Sequence, residues 1–413
     1  MDRKDFKIYI VGAGVSGLVA AQVLENKGYH PIILEASDRA GGRVKTDIKK
    51  GFQLDHGFQV LLSSYPAAQK YLDFKALKLQ KLNPGAVIFK NGKKQIIGDP
   101  LRDISTLFST LFSGIGTLLD KFKIFQLNLK LKNKSIEAIF SSNEISTKAY
   151  LQEFGFSSQI ITQFFTPFFT GIFLENELTT SSRMFEFVFK MFGEGLAVLP
   201  KGGMEEISKQ LVSNLKNTTF QYNTQVTSVS DEEIILHTGD KLVSAATIIA
   251  TDASKLVKNA PSKNLSWKSC QTLYFTANKR VIEKPMIGLV SREDSLINNI
   301  FYHTSVATHS NNTEELLSVT VVKEHQLSEE QLIATVTKQL KEECHIDTIT
   351  FLEIHNIKRA LPDLKYIKSE VTPSETQLSS GIFLAGDVQL NGSLNAAMIA
   401  GEKAALQVIA SHK

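Results

Sequence analysis

Apolar residues recur along this chain in two rhythms, and the switch between them outlines its elements. Residues 7–11 form a short β-prone run, residues 16–27 carry Ala, Val and Leu at helical spacing, and residues 31–34 form a second apolar run. That order predicts a strand, a helix and a strand, a βαβ unit. From about residue 99 to residue 192 the pattern becomes long amphipathic stretches rich in Phe and Leu, punctuated by Pro167 and Gly171, which predicts a helical insertion. A loop at Pro200, Lys201, Gly202 and Gly203 then leads into a helix over 204–215 and strand-like runs at 219–229, 233–238 and 245–250. Further β-prone runs at 272–276 and 317–322 precede a helix over 329–343. Residues 381–385 read as an apolar strand ending in Gly386 and Asp387, and residues 393–410 as a closing helix. The pattern predicts a discontinuous α/β domain from residues 1–75, 195–255 and 375–413, and a second, α+β domain from residues 76–194 and 256–374.

Composition narrows this picture. The 413 residues are 43% hydrophobic and 21% charged, enough to bury the cores of two globular domains. The 46 basic and 42 acidic residues leave a net charge of +4 spread along the chain, so no nucleic-acid partner is expected. Two cysteines, Cys270 and Cys344, are too few for a disulfide scaffold and have no metal-ligand spacing. They read as core fillers in a reducing cytoplasm. The charged residues 1–7 do not read as a signal peptide and are expected to open the mature chain. No run reaches the roughly 20 apolar residues that cross a bilayer. The nearest, residues 104–119, is dotted with Ser, Thr and Gly, and no spanning helix is expected there.

The first chemistry-bearing motif sits inside the βαβ unit. Gly12-Ala13-Gly14-Val15-Ser16-Gly17 fits G-x-G-x-x-G with a strand before it and a helix after it. Gly12 permits the tight turn, Gly14 lets the backbone approach a pyrophosphate, and Gly17 lets helix and strand pack closely. Unpaired N–H groups and the helix dipole then face the phosphates. Glu35 follows Gly17 by 18 residues, at the end of the second strand. A carboxylate there accepts from a ribose diol and repels a 2′-phosphate, which favours an unphosphorylated adenosine. The motif alone does not separate NAD from FAD.

Residues 12–43 as a whole resemble the opening of the flavin amine oxidase superfamily, which includes monoamine oxidases, protoporphyrinogen oxidases and carotenoid desaturases such as phytoene desaturase. The resemblance implies an FAD-binding Rossmann-like α/β domain with an inserted α+β substrate domain. It also implies FAD contacts at Gly12, Gly14, Val15, Ser16, Gly17, Glu35 and Ala36, and at Gly41, Gly42 and Arg43 beside the pyrophosphate and flavin. The segment Pro200 to Met204 is similar to the family's P-x-G-G-M, and Val226 matches the valine whose backbone meets the adenine. Gly57 and Phe58 fall in the loop that the resemblance sets near the isoalloxazine. Gly386 and Asp387 match the ribityl and phosphate contact, and Leu394 and Asn395 the helix start facing the flavin C2 carbonyl and N1.

A flavin takes a hydride without a protein nucleophile, so no catalytic triad need be sought, and no acid or base residue is assigned. The cluster of Cys344, His345 and Asp347 reads as surface structure, and no metal is expected. His56 is the most interesting histidine, although a loop histidine that satisfies its own backbone is an equal reading. Two departures from the amine oxidases point to another branch. The position of their flavin-side lysine falls on Ser269, with Lys268 one residue off, and one of their aromatic walls falls on Ser393. The Phe-rich run 164–173, with Phe185, Phe187, Phe189 and Phe192, reads mostly as core but also offers an apolar pocket.

The expected activity is therefore hydride removal from a C–H bond of a hydrophobic small molecule, isoprenoid, polyene or porphyrinogen-like, with oxygen, a quinone or a protein as electron acceptor. The alternatives are an amine oxidase and, outside enzymes, a lipid-binding chaperone resembling Rab escort proteins. Lys121, Lys123, Lys130, Lys132 and Lys134 read first as the solvated face of a helix pair. The competing reading lays them on an anionic membrane surface, as a peripheral contact.

Overall fold

The computed structural model describes residues 3–98, 114–258, 265–310 and 312–412. At its centre is a parallel five-stranded sheet in the order Thr219–Gln221, Ile32–Leu34, Ile8–Val11, Ala246–Ile249 and Ile382–Leu384. Apart from the edge strand Thr219–Gln221 these strands are short apolar runs, because helices pack on one face of the sheet and the antiparallel sheet that starts at Val226–Val229 packs on the other. Helix Val15–Glu25 crosses from the first strand to the second, and the closing helix Leu394–Ser411 lies against it. Their contact is close enough that a Cβ on Gly401 would sit 2.1 Å from the Ser16 carbonyl oxygen, so only glycine serves there.

The run at 219–229 is not one strand. Asn223 takes a left-handed turn, with φ of +53°, so the chain leaves the parallel sheet at Gln221 and starts an antiparallel sheet at Val226–Val229. Asn tolerates that conformation, which makes it the natural break point.

A seven-stranded mixed sheet builds the other half, in the order Ile349–Asp363, Ser266–Ala277, Glu315–Val321, Ile297–Tyr302, Ile287–Val290, Gly85–Lys90 and Lys93–Gly98. Helix Glu329–Cys344 buries Leu332, Val336 and Leu340 against one face. The opposite face meets the aromatic helices. Most of the apolar run 104–119 lies outside the described residues. From Leu118 the helical part is visible as Leu118–Lys132, Ile136–Phe140, Thr147–Glu153, a continuous helical stretch over 158–173, and Ser182–Glu194.

Pro167 does not break that stretch. It occupies the first turn of Thr166–Phe173, just after a π-helical segment Ile161–Phe165 that accommodates its missing N–H. The phenylalanines then divide by helix face. Phe165, Phe169, Phe173, Phe185 and Phe187 are almost wholly buried, each contributing about 1.5–3 kcal/mol of burial. Phe164, Phe168, Phe189 and Phe192 are less buried and line a cavity, which the buried Phe173 also borders.

Among the described residues no helix is long and apolar enough to cross a membrane.

Candidate active site

The glycine turn after Val11 holds its shape through backbone geometry that only glycine tolerates. Gly12 has φ of +105° and donates its N–H to the Leu34 carbonyl at 2.9 Å. A Cβ on Gly17 would lie 2.1 Å from the Gly12 oxygen, so Gly17 serves helix packing and does not line the cavity. Around Gly14 the nearest atom to an added Cβ is the Gly42 Cα at 4.0 Å, and helix Val15–Glu25 starts with no side-chain cap. An uncapped helix start beside glycine backbone is an anion cradle.

Three further segments converge on this turn. Gly41 donates to the Ala13 carbonyl at 3.0 Å, and Gly42, with φ of +60°, presses its backbone against Gly14. Gly386 donates its N–H to Ser16 Oγ at 2.8 Å, which ties the last strand to the first helix. Arg43 forms an ion pair with the buried Asp387. Glu35 accepts from the Ala13 N–H at 2.7 Å and from the Ser37 N–H and hydroxyl at 2.9 and 2.6 Å.

This cradle fits an FAD: a carboxylate at the end of the second strand for the ribose, an uncapped helix start with Arg43 for the pyrophosphate, and glycines where any side chain would intrude. Gly12, Gly14, Val15, Ser16, Glu35, Gly41, Gly42, Arg43, Gly57, Phe58, Gly386, Asp387 and Leu394 all line one continuous cavity. Ala36, Val226 and Asn395 do not. Val226 packs its side chain among Tyr9, Val11 and Leu34. Asn395 turns its Oδ1 to the buried Ala67 N–H at 2.9 Å and so secures the helix Pro66–Tyr71.

From the cradle the cavity, about 1630 Å³ in volume, continues between the mixed sheet and the aromatic helices. That exceeds a typical single-ligand pocket of roughly 300–1,000 Å³, so room remains beyond a nucleotide. Phe164, Phe168, Phe189 and Phe192 form one wall. The sheet side is more polar. There Asn299 is buried and donates to Thr320 Oγ1 at 3.2 Å. Trp267 and Lys268 line the space, and Ser269 is exposed and does not.

The expectation that Ser269 takes the flavin-side lysine's place is corrected by this register. Lys268 and Cys270, two residues apart on strand Ser266–Ala277, both face the cavity, and Ser269 between them faces away, as strand alternation requires. Lys268 Nζ lies 3.3 Å from Thr180 Oγ1 and 3.9 Å from Asp363.

Trp267, the single tryptophan, was also not singled out. Its ring lies 5.3 Å from the Arg43 guanidinium and 6.0 Å from that of Arg359, both within cation–π range. Its indole nitrogen is buried and lacks a protein partner. Ser393, expected to stand where an aromatic wall is needed for amines, lines the cavity as the cap of the closing helix. Its Oγ accepts from the Ala396 N–H at 3.0 Å and pairs with Asn391 Oδ1 at 2.7 Å.

Beneath the loop that carries His56 and Phe58 lies a titratable group of residues. Burial pushes the Asp55 carboxyl up to about 6, against the pull of Thr46, which donates at 2.6 Å, and the Met204 N–H at 2.9 Å. Burial pulls His303 down to about 4. His355 is also lowered, first by burial and then by the neighbouring His56 ring. His345 caps a helix in the left-handed conformation and contacts the Gly92 carbonyl, a surface role.

The model of the family described as flavin containing amine oxidoreductase matches residues 15–409. Among curated proteins, the chain is 26% identical over 167 residues to protoporphyrinogen oxidase 2 of Arabidopsis thaliana, covering 40% of this chain and 32% of that protein. It is 36% identical over 106 residues to an L-amino-acid oxidase of Bothrops moojeni, covering 24% and 21%. These matches thus span a third or less of the relatives' own lengths. Among solved structures, a redesigned putrescine oxidase superposes with a TM-score of 0.73 at 16% identity, covering 98% of this chain and 99% of that one.

Proposed function

We propose that this chain, which belongs to the flavin-containing amine oxidoreductase family, uses its FAD to remove hydride from a C–H bond of a hydrophobic substrate held against the aromatic wall. The observation that carries this reading is the continuity of the cavity from the glycine cradle to Phe164, Phe168, Phe189 and Phe192. When bound, FAD supplies the two-electron acceptor. The chain supplies position: aromatic faces align an extended apolar molecule along its length and exclude water from the reacting carbon. The start of helix Leu394–Ser411, capped by Ser393 and bordering the cavity, favours negative charge developing nearby. Glu35, Gly41, Gly42, Arg43 and Asp387 all border the cavity, which runs against the chaperone alternative, where such contacts should have decayed.

The substrate's route is part of the same reading. On helix Leu118–Lys132, Leu118, Phe122, Phe125 and Leu129 form one stripe, exposed at 69%, 55%, 40% and 48%, and the first three border the cavity. An exposed apolar stripe at a cavity mouth, with lysines alongside, suits a lipid surface from which an apolar substrate partitions.

An amine oxidase remains the second reading, because Lys268 faces the cavity. Anaerobic mixing of the yellow holoenzyme with amines, polyenes and porphyrinogens, followed through the flavin band, separates the two. Bleaching by apolar substrates and not by simple amines is expected; rapid bleaching by amines alone would overturn the proposal.

A further inference from the structure

Below the cavity loop, three side chains from two halves of the fold meet in a way the oxidoreductase reading leaves unused. Asp47 projects from strand Thr46–Lys49, His56 from the loop after Phe52–Asp55, and His355 from strand Ile349–Asp363 of the mixed sheet. One carboxylate oxygen and one nitrogen from each imidazole lie within 4.8 Å of one another, and among the described residues no other such group of His, Cys, Asp or Glu occurs. The two rings are 4.6 Å apart between centroids. His56 Nε2 is 2.7 Å from Asp47 Oδ2.

We propose that Asp47, His56 and His355 form a binding site for a divalent transition cation of the zinc class, which clamps the cavity loop to the mixed sheet. Two imidazoles and one carboxylate are the donor set that such ions take, with metal–ligand bonds of about 2.0–2.2 Å. In a tetrahedral site this puts ligand atoms roughly 3.3 Å apart, so the three groups need to close by about 1.5 Å at most. All three side chains are partly exposed, so rotation suffices. A solvent molecule completes the coordination.

The surroundings support the ligands in the way outer partners usually do. His355 Nδ1 lies 3.2 Å from the Asp55 carbonyl, and the tautomer that donates there carries its lone pair on Nε2. Arg39 donates to Asp47 Oδ1 at 2.6 Å and holds the carboxylate in place. That guanidinium also pairs with Glu205 at 2.8 Å and Asp38 at 3.6 Å, so the arginine and its three carboxylates together keep a negative charge for the cation. The nearby Lys49 is likewise paired, with Glu353. Without an ion, the same atoms make an ordinary pair between His56 and Asp47 and a ring contact to His355, so the experiment must separate a built site from a surface pair.

The test is calorimetric titration of the purified, metal-stripped holoenzyme with Zn²⁺ at pH 7.5 in a non-chelating buffer, together with thermal melting. One ion per chain is expected, with a rise in Tm of about 3 °C at one hundred times the Kd. His355→Gln and His56→Gln should each weaken binding by about a hundredfold or more, since outer partners alone cost roughly 10–100-fold. The exposed His237→Gln should change nothing. Flavin content and circular dichroism report folding of each variant, and Asp47→Asn supplies a third, independent removal of a ligand. No saturable binding, or binding that survives loss of either histidine, overturns the site. Because the readouts are heat and melting and involve no turnover, the result stands apart from the substrate assignment.

Discussion

Asp55 makes the pH dependence of stability calculable. Its carboxyl is 4% exposed and wedged between Thr46 and the Met204 N–H, and burial raises it from 3.8 to about 6. A carboxyl raised in the folded state binds its proton more tightly there than in the unfolded chain. Its stabilising contribution is therefore complete below pH 3.8 and is lost as pH rises to about 6. The gap amounts to about 3 kcal/mol at neutral pH. Asp55→Asn keeps the accepting oxygen for Thr46 and Met204 but cannot ionise. At about 2.1 cal/mol/K per residue, 413 residues unfold with roughly 0.9 kcal/mol/K, so the variant should melt about 3 °C above the parent at pH 7.5. The advantage should vanish by pH 4. Melting curves of both proteins with saturating FAD, taken as a difference at each pH, cancel every other titrating group. A difference that does not change with pH, or a variant less stable at pH 7.5, would refute the buried-acid argument.

Other outcomes follow from the cavity. Gly42→Val forces a side chain at φ of +60° to within about 3.1 Å of the Gly14 backbone, so the purified variant should lose its yellow colour, read as the ratio of absorbance at the flavin and protein bands. Lys268→Met should leave turnover of an apolar substrate within about threefold; a loss of roughly 10²–10⁴, the range for removing a proton-transfer group, would instead favour the amine oxidase reading. Anionic liposomes should retain the protein at low ionic strength and release it as added salt shortens the Debye length to about 10 Å at 0.1 M, and Phe122→Asp should weaken retention. Equal partition to neutral vesicles would show that the lysines are merely solvated.

What was legible in the sequence is what depends on local rules. Gly12, Gly14 and Gly17 could be read because a turn, a close approach and a helix contact each exclude a side chain, and the structure assigns each glycine a distinct contact. The closing strand and helix were legible from their apolar periodicity, and Ser393 caps that helix as its residue type favours. Lys268 escaped because alternation only says that Lys268 and Ser269 face opposite ways, and which of the two faces meets the cavity is set by the packing of the mixed sheet. The phenylalanines show the same boundary from the other side. Composition marks the helical insertion as aromatic, yet Phe164 and Phe165 are neighbours in sequence, and only packing sends the second into the core and the first into the cavity. Asp47, His56 and His355 lie furthest beyond reach, since His355 comes 299 residues after His56 and meets it only when the mixed sheet is laid against the cofactor-side hairpin. Local chemistry therefore marks the candidate cofactor cradle, whereas the aromatic wall and the meeting of Asp47, His56 and His355 are properties of how the two halves of the chain are packed together.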